Sequence, residues 1–564
     1  MQNSVTRKGA ALLLDLIEAD GVDCVFASPI AVMAPIWEEL AGRSNSLRLR
    51  YFRCRHELLA VSAAQGYYQV TGRPQVAFLP TNLGVQNGSM ALRTAFQDHV
   101  PMVAISIDSL TWGEDPNSDP GPEWPSLLSH AAGPARSGAT VVKWAKEART
   151  PSDLANEWRR ALYVAQAVPR GPTLLEIPFD LLLAEAHPIQ PPPLPPAKVV
   201  APQEEVAAIA RLLSQAKNPL ITTEYAGRTR EQQAALVGLA ERLGAPVYEF
   251  MMPTFRNIPR DHPLYGLGPI EAEVGEADVI LVAGSNAPWH PPLQDLRPGA
   301  AVIHLAEDPL RPRAPYWGYA TTHTLAGDVG SNLLALAEAI AQPSDAPART
   351  RRWQARFAEQ RAAMERESEE ASAAAEGRVA AADLFKALNK ALPDEAVAVD
   401  EIVSQVPLYL HHLFDGKAIQ QVRGWQGALG TSLGMALGVK AALPAKTVVC
   451  ILGDGAWHYN PVPAALGFSQ EYGLPLLIVV CNNGQYNSQT WNILRYYPEG
   501  AAVGGGTFVG NVIDPMPDYY KAADGYGGAG ERVSNRAGLD EAIQRGLASQ
   551  AAGHSYILDV LVEP

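Results

Sequence analysis

Residues 448–483 read VVCILGDGAWHYNPVPAALGFSQEYGLPLLIVVCNN, and this stretch decides the fold. Val448–Leu452 is apolar and rich in β-branched residues, as a strand buried on both faces should be. Gly453 and Gly455 let the backbone turn sharply and approach a ligand closely. The helix that follows offers free N–H groups and a positive dipole end, which favour an anion such as a diphosphate. A second apolar strand then delivers Asn482-Asn483. Asp454 and Asn483 supply hard oxygen ligands suited to Mg2+ or Ca2+ bridging phosphate oxygens. Strand, glycine turn, helix, strand is the unit of a doubly wound parallel sheet, so the expected class is α/β. The plainer reading of the same unit makes Asp454 a helix cap.

Composition bounds the rest. A chain of 564 residues predicts about three domains. Apolar residues make up 47%, enough for large cores. The balance of 45 basic and 59 acidic residues gives −14, which argues against nucleic acid or an anionic membrane as partner. No apolar run is long enough to span a membrane. Cys24, Cys54, Cys450 and Cys481 show no metal-site spacing; they read as a reducing, cytoplasmic pattern, with Cys450 and Cys481 as small core hydrophobes. The N-terminal apolar run is broken by Asp15 and Glu18 and reads as an amphipathic helix over Arg7–Asp20, not a signal peptide.

Residues 1–185 alternate helix and strand patterns. The strands are Cys24–Ala27, Gln75–Leu79 and Met102–Ile107; the helices after the first are Ile30–Leu40, His56–Thr71 and Gly84–Gln97. Pro191–Pro196 is a stiff, extended linker. Residues 199–343 form a second α/β unit with strands at Leu220–Thr223, Val247–Phe250, Val279–Ala283 and Val302–Leu305. Residues 346–376, rich in Ala, Arg and Glu, predict an exposed helical connection to a third α/β unit over 378–564. The first and third units share a style without a residue-level repeat.

Three patches extend the reading. The first is Arg55-His56-Glu57-Leu58-Leu59-Ala60, continuing to Gly66–Pro74. The second is Gly424-Trp425-Gln426-Gly427-Ala428-Leu429-Gly430. The third is Cys481-Asn482-Asn483-Gly484-Gln485-Tyr486. With Gly453-Asp454-Gly455, they resemble the thiamin diphosphate-dependent decarboxylase and acetolactate synthase superfamily along essentially the whole chain. The resemblance implies three doubly wound domains: pyrimidine-binding (1–185), middle (199–343) and diphosphate-binding (378–564).

It also implies roles. Glu57 is the carboxylic acid that hydrogen-bonds the aminopyrimidine ring and so activates the cofactor. Leu429 props the bent cofactor, and the Gly427 carbonyl accepts from its amino group. Gly453, Gly455 and Ala456 approach the diphosphate, and Tyr486 flanks it. Asp454, Asn483 and the Gln485 carbonyl complete the shell of Mg2+. The Asn-Asn-Gly-x-Tyr wording, and Asp400-Glu401-Ile402-Val403-Ser404 with Ser404 touching the diphosphate, are closest to benzoylformate decarboxylase-like members. A homodimer or homotetramer is implied, because the family completes each site across two chains.

Departures bear on the substrate. Many relatives have Gly-Pro-Gly where this chain reads Pro80-Thr81-Asn82-Leu83-Gly84. Pro80 stands where benzoylformate-type enzymes carry a catalytic histidine, and the first unit lacks the His-His pair of pyruvate decarboxylases. The sole adjacent pair, His411-His412, lies on a helix of the third unit. His290 and His458 remain as acid/base candidates, each weighed against an ordinary surface histidine; His56 and His99 read as structural. The turn-rich segment Trp112–Trp124 lines the entrance or an oligomer contact. No GxGxxG occurs in 199–343, so no flavin or ADP site is assigned there. Three functions follow: a 2-oxo acid decarboxylase or carboligase; a non-decarboxylating lyase or hydrolase acting on a diketone, acyloin or 2-hydroxyacyl-CoA; and a silent regulatory paralogue, disfavoured because Glu57 and Asp454 are both present.

Overall fold

The computed structural model describes residues 7–43, 48–108, 116–117, 119, 121–127, 132–186, 199–250, 253–292, 294–314, 318–424 and 427–563. Its Val- and Ile-rich runs become the strands of three parallel sheets. The third sheet runs, in spatial order, Gln420–Arg423, Val397–Glu401, Val448–Gly453, Leu477–Asn482, Tyr556–Leu561 and Ala529–Val533. The first runs Arg50–Arg53, Cys24–Ala27, Val76–Phe78, Val103–Ile107, Thr173–Ile177 and Trp144–Glu147. Numbered along the chain, both follow the order 2-1-3-4-6-5. The middle sheet, Val247–Glu249, Pro219–Thr223, Val279–Ala283, Ala301–Ala306 and His323–Ala326, follows 2-1-3-4-5. The fold is therefore doubly wound α/β three times over. The order reverses beside each unit's first strand, and a ligand crevice opens there at the strands' carboxyl ends.

The first and third sheets share one core. Helix Glu57–Thr71 crosses helix Ser432–Ala442, and Leu59, Val61, Leu433, Leu437 and Val439 join a single buried cluster. Fully burying each such side chain contributes roughly 1.5–3 kcal/mol. Small residues set the approach: a Cβ on Gly438 would stand 2.0 Å from the Ala63 carbonyl oxygen. Arg53 and Arg55 add ion pairs to Glu471 at 2.9 and 2.8 Å, tying the turn before Glu57 to the third unit.

Several expected elements shift. Arg7–Lys8 pairs antiparallel with Glu185–Ala186, so the first helix starts at Gly9. The helix expected from Gly84 starts at Thr81, which adopts a left-handed φ of 66°. The connector is one helix, Ala346–Ala374, yet it is not simply exposed. Trp353 and Phe357 are stacked one turn apart and enter the middle-unit core, while Ser368 is buried further along. The Pro191–Pro196 tract, Trp425-Gln426 and, within Trp112–Trp124, residues 112–115, 118 and 120 lie outside the described residues.

Candidate active site

At the third sheet's switch point, strand Val448–Gly453 ends against Val397–Glu401. Asp454 opens the next helical turn, Asp454–Trp457, and is only 3% exposed. Its Oδ1 accepts from the Gly455 N–H at 2.8 Å and its Oδ2 from the Gly484 N–H at 2.7 Å. Burial pushes this carboxyl up to about 6, against the pull of backbone N–H groups from Gly455, Gly484 and Gln485. Among the described residues no Lys, Arg or His forms an ion pair with it, although buried carboxylates normally have such a partner.

Asn483 lies beside it, buried, its Oδ1 accepting from the Gln485 N–H at 3.1 Å. Gly455 and Ala456 are buried behind the carboxylate, and Gly453 is half-buried. The Tyr486 ring crosses Gly455 so closely that a Cβ there would fall 2.7 Å from it. Ser404 is half-buried in the turn between strand Val397–Glu401 and helix Val406–His412, on the same edge of the sheet. A buried carboxylate with no counter-charge among the described residues, a neighbouring amide oxygen and glycine-thin backbone fit a dication that carries a diphosphate.

Gly427 is exposed, whereas Leu429 is half-buried and packs on the core shared by the first and third units. What holds this loop is Glu401, which sequence reading left without a role. Its carboxylate accepts from the Gly430 N–H, from the Ser432 N–H at 3.0 Å and from Asn460 Nδ2 at 3.0 Å. Burial raises its pKa, with those donors opposing. The one sequence signal was an acidic pair, Asp400-Glu401, closing a strand that begins apolar.

The first sheet's switch point holds Glu57. Its Oε1 accepts from Ser28 Oγ and its Oε2 from Asn87 Nδ2, both at 2.8 Å. Ser28 leaves strand Cys24–Ala27 and Asn87 comes from helix Thr81–Gln97, so three elements fix one carboxylate. Ser28 and Asn87 escaped the sequence reading because their partner is distant in the chain. Gly84 packs beneath, 3.5 Å from Glu57 Cγ if it bore a Cβ. The loop at Pro80–Gly84 is braced by side chains: the Asn82 N–H donates to Asp108 at 2.7 Å, and Ser137 Oγ donates to Asn82 Oδ1 at 2.5 Å.

The histidines separate. His458, one turn beyond Asp454, is exposed, with Nε2 3.1 Å from the Tyr519 hydroxyl. His290 is exposed in the loop after Val279–Ala283, and no contact among the described residues joins it to Glu57 or Asp454. His56 Nδ1 caps its own helix by accepting from the Leu58 N–H. His99 is enclosed against Tyr225 at the contact with the middle unit. All four cysteines are free and buried, and burial raises every thiol pKa.

Comparison with known proteins places this geometry. Family models of the thiamine pyrophosphate enzymes match in order: the N-terminal TPP binding domain over residues 7–123, the central domain over 206–336 and the C-terminal TPP binding domain over 403–560. An acetolactate synthase large subunit of Parasynechococcus marenigrum is 27% identical over 96% of this chain and 85% of its own length. A benzoylformate decarboxylase of Pseudomonas aeruginosa is 25% identical over 95% and 96%. The solved structure of a thiamine diphosphate-dependent 4-hydroxybenzoylformate decarboxylase from Rhodococcus jostii superposes with a TM-score of 0.80 at 23% identity, covering 99% of both chains, and supports the fold. The chain therefore belongs to the thiamine pyrophosphate-dependent enzymes and is related to acetolactate synthases and benzoylformate decarboxylases.

Proposed function

We propose that this enzyme decarboxylates a 2-oxo acid, and passes the resulting acyl unit to a proton or to a second carbonyl, in the manner of an acetolactate synthase or benzoylformate decarboxylase. The observation that carries this is the buried Asp454 carboxylate, beside Asn483 and without a counter-charge among the described residues, at the switch point of the third sheet. Thiamin diphosphate, when bound, supplies a nucleophilic carbon that adds to a carbonyl and an electron sink for the bond that then breaks. Asp454, Asn483 and the Gln485 carbonyl would hold Mg2+, and Gly453, Gly455, Ala456 and Ser404 would present thin backbone or a hydroxyl to the diphosphate. Tyr486 closes that end. Leu429 would support the cofactor from the shared core, and Gly427 would offer it a carbonyl acceptor. Glu57 would meet the pyrimidine, and Ser28 and Asn87 keep its carboxyl in register.

A second copy of the chain completes the site. Leu83, beside Glu57, is 62% exposed, and Tyr459 and Val512, near Asp454, are 55% and 63% exposed. Apolar groups flanking catalytic carboxylates are what a partner chain covers. His458 and His290 are the candidate proton donors, and His458 is favoured by its position one turn beyond Asp454.

One observation favours a second reading, a lyase or hydrolase that releases no CO2. Proline occupies position 80, and the adjoining loop is rebuilt around Asn82, Asp108 and Ser137. Product analysis separates the two: the first reading expects CO2 from 2-oxo acids and nothing from diketones or acyloins, and the reverse pattern establishes the second.

A further inference from the structure

The adjacent histidines His411 and His412 take no part in the site described above. They end helix Val406–His412, and their rings meet edge to face with centroids 4.6 Å apart. Glu365 reaches both from the connector helix Ala346–Ala374. Its Oε1 lies 3.5 Å from His411 Nε2 and 3.4 Å from His412 Nδ1. The three ligand atoms fall within 4.8 Å of one another. Those separations are too long for good hydrogen bonds. They match the edge of a small tetrahedron: zinc–ligand bonds of about 2.0–2.1 Å place neighbouring ligand atoms about 3.3–3.4 Å apart.

The surroundings orient the same three atoms. His412 Nε2 lies 3.1 Å from Ser368 Oγ, which fixes the ring with Nδ1 toward Glu365. His412 and Ser368 are 3% and 4% exposed. An outer hydrogen bond of this kind is the usual support of a ligating imidazole. Lys386 Nζ holds the other carboxylate oxygen, Oε2, at 2.6 Å, so Oε1 is left to converge with the rings. Arg361 and Lys386 oppose a further cation electrostatically, while Asp383 and Asp415 favour it.

From this convergence we infer that Glu365, His411 and His412 form a site for one zinc-type dication, with water in the fourth position. Two imidazoles and one carboxylate suit Zn2+, Co2+ or Ni2+, whereas Mg2+ prefers oxygen alone, so this site is chemically distinct from the one at Asp454. A metal here clamps the connector helix to the third unit at the end opposite Trp353 and Phe357, which anchor it in the middle unit.

The test uses the full chain, stripped of transition metals and held in excess Mg2+ to saturate the Asp454 site, then titrated with Co2+ and Zn2+. The expected result is one Co2+ per chain with the strong visible absorption of a tetrahedral complex, displaced by Zn2+, and a melting temperature that rises with Zn2+ concentration. Glu365→Gln and His411→Asn alter half-buried side chains, and circular dichroism reports whether each folds. Each is expected to weaken Co2+ binding at least tenfold and to abolish the thermal response to Zn2+. Absence of the band in the wild-type protein, or an equal band in both folded variants, overturns the inference.

Discussion

Asp454 carries a buried carboxylate that no Lys, Arg or His among the described residues pairs with. It sits buried among backbone N–H groups, which favour a carboxylate but do not neutralise it. Removing that charge weakens folding and function through different groups. Asp454→Asn is expected to lower the melting temperature of the cofactor-free protein slightly, since the new amide nitrogen cannot accept the backbone N–H that one carboxylate oxygen now takes. The Mg2+ concentration for half-maximal activity should rise at least about tenfold, which corresponds to about 1.4 kcal/mol of lost binding. Thermal unfolding and a Mg2+ titration check the two halves separately. Glu57 is the complementary case. Glu57→Gln retains shape and the contacts to Ser28 and Asn87 but cannot ionise, and turnover should fall roughly 100-fold or more, with cofactor binding retained. Steady-state kinetics beside a fluorescence titration with thiamin diphosphate would show it.

Among the elements, close approach of backbone sets the tolerances. A methyl on Gly438 meets the Ala63 carbonyl oxygen at 2.0 Å, and neither crossing helix can yield without moving the other. Gly438→Ala should therefore lower stability by about 3 kcal/mol, read from urea midpoints. The strand–turn–helix–strand unit around Asp454 was legible because its signals are local: β-branched runs, two glycines and an amide pair lie within one short window. The crossing of Glu57–Thr71 with Ser432–Ala442 was not, because Gly66, Gly434 and Gly438 look like ordinary helix glycines until their partner is in place. Glu401 was missed for a related reason. Its donors come from Gly430, Ser432 and Asn460, on segments that meet only in the folded protein. The connector helix misled in a third way: an Ala/Arg/Glu majority suggested exposure, and Trp353 with Phe357 outweighed it. The order 2-1-3-4-6-5 is shared by the outer sheets without a residue-level repeat to announce it.

Across the whole molecule, acid should loosen the fold through histidines enclosed as neutral rings. Burial depresses His99 and His304 to about 4. The unfolded chain takes up protons near 6.5 that the folded chain refuses, so stability is retained at neutral pH and lost as pH falls from about 6.5 toward 4. Each ring is expected to cost about 1–2 kcal/mol between pH 7 and pH 5. Denaturant midpoints at the two pH values, for wild type, His99→Gln and His304→Gln, check this; each variant should lose less on acidification. At the same scale, the exposed Leu83, Tyr459 and Val512 beside the two carboxylates predict that activity and self-association fail together on dilution.

The most direct test of the functional account measures CO2 release by the purified enzyme with thiamin diphosphate and Mg2+ across pyruvate, branched-chain 2-oxo acids, phenylpyruvate and benzoylformate, with Glu57→Gln in parallel. The account predicts release from at least one of these acids, dependent on the cofactor and falling roughly 100-fold or more in the variant. Bound cofactor without CO2 from any of them, or equal release by Glu57→Gln, would contradict it.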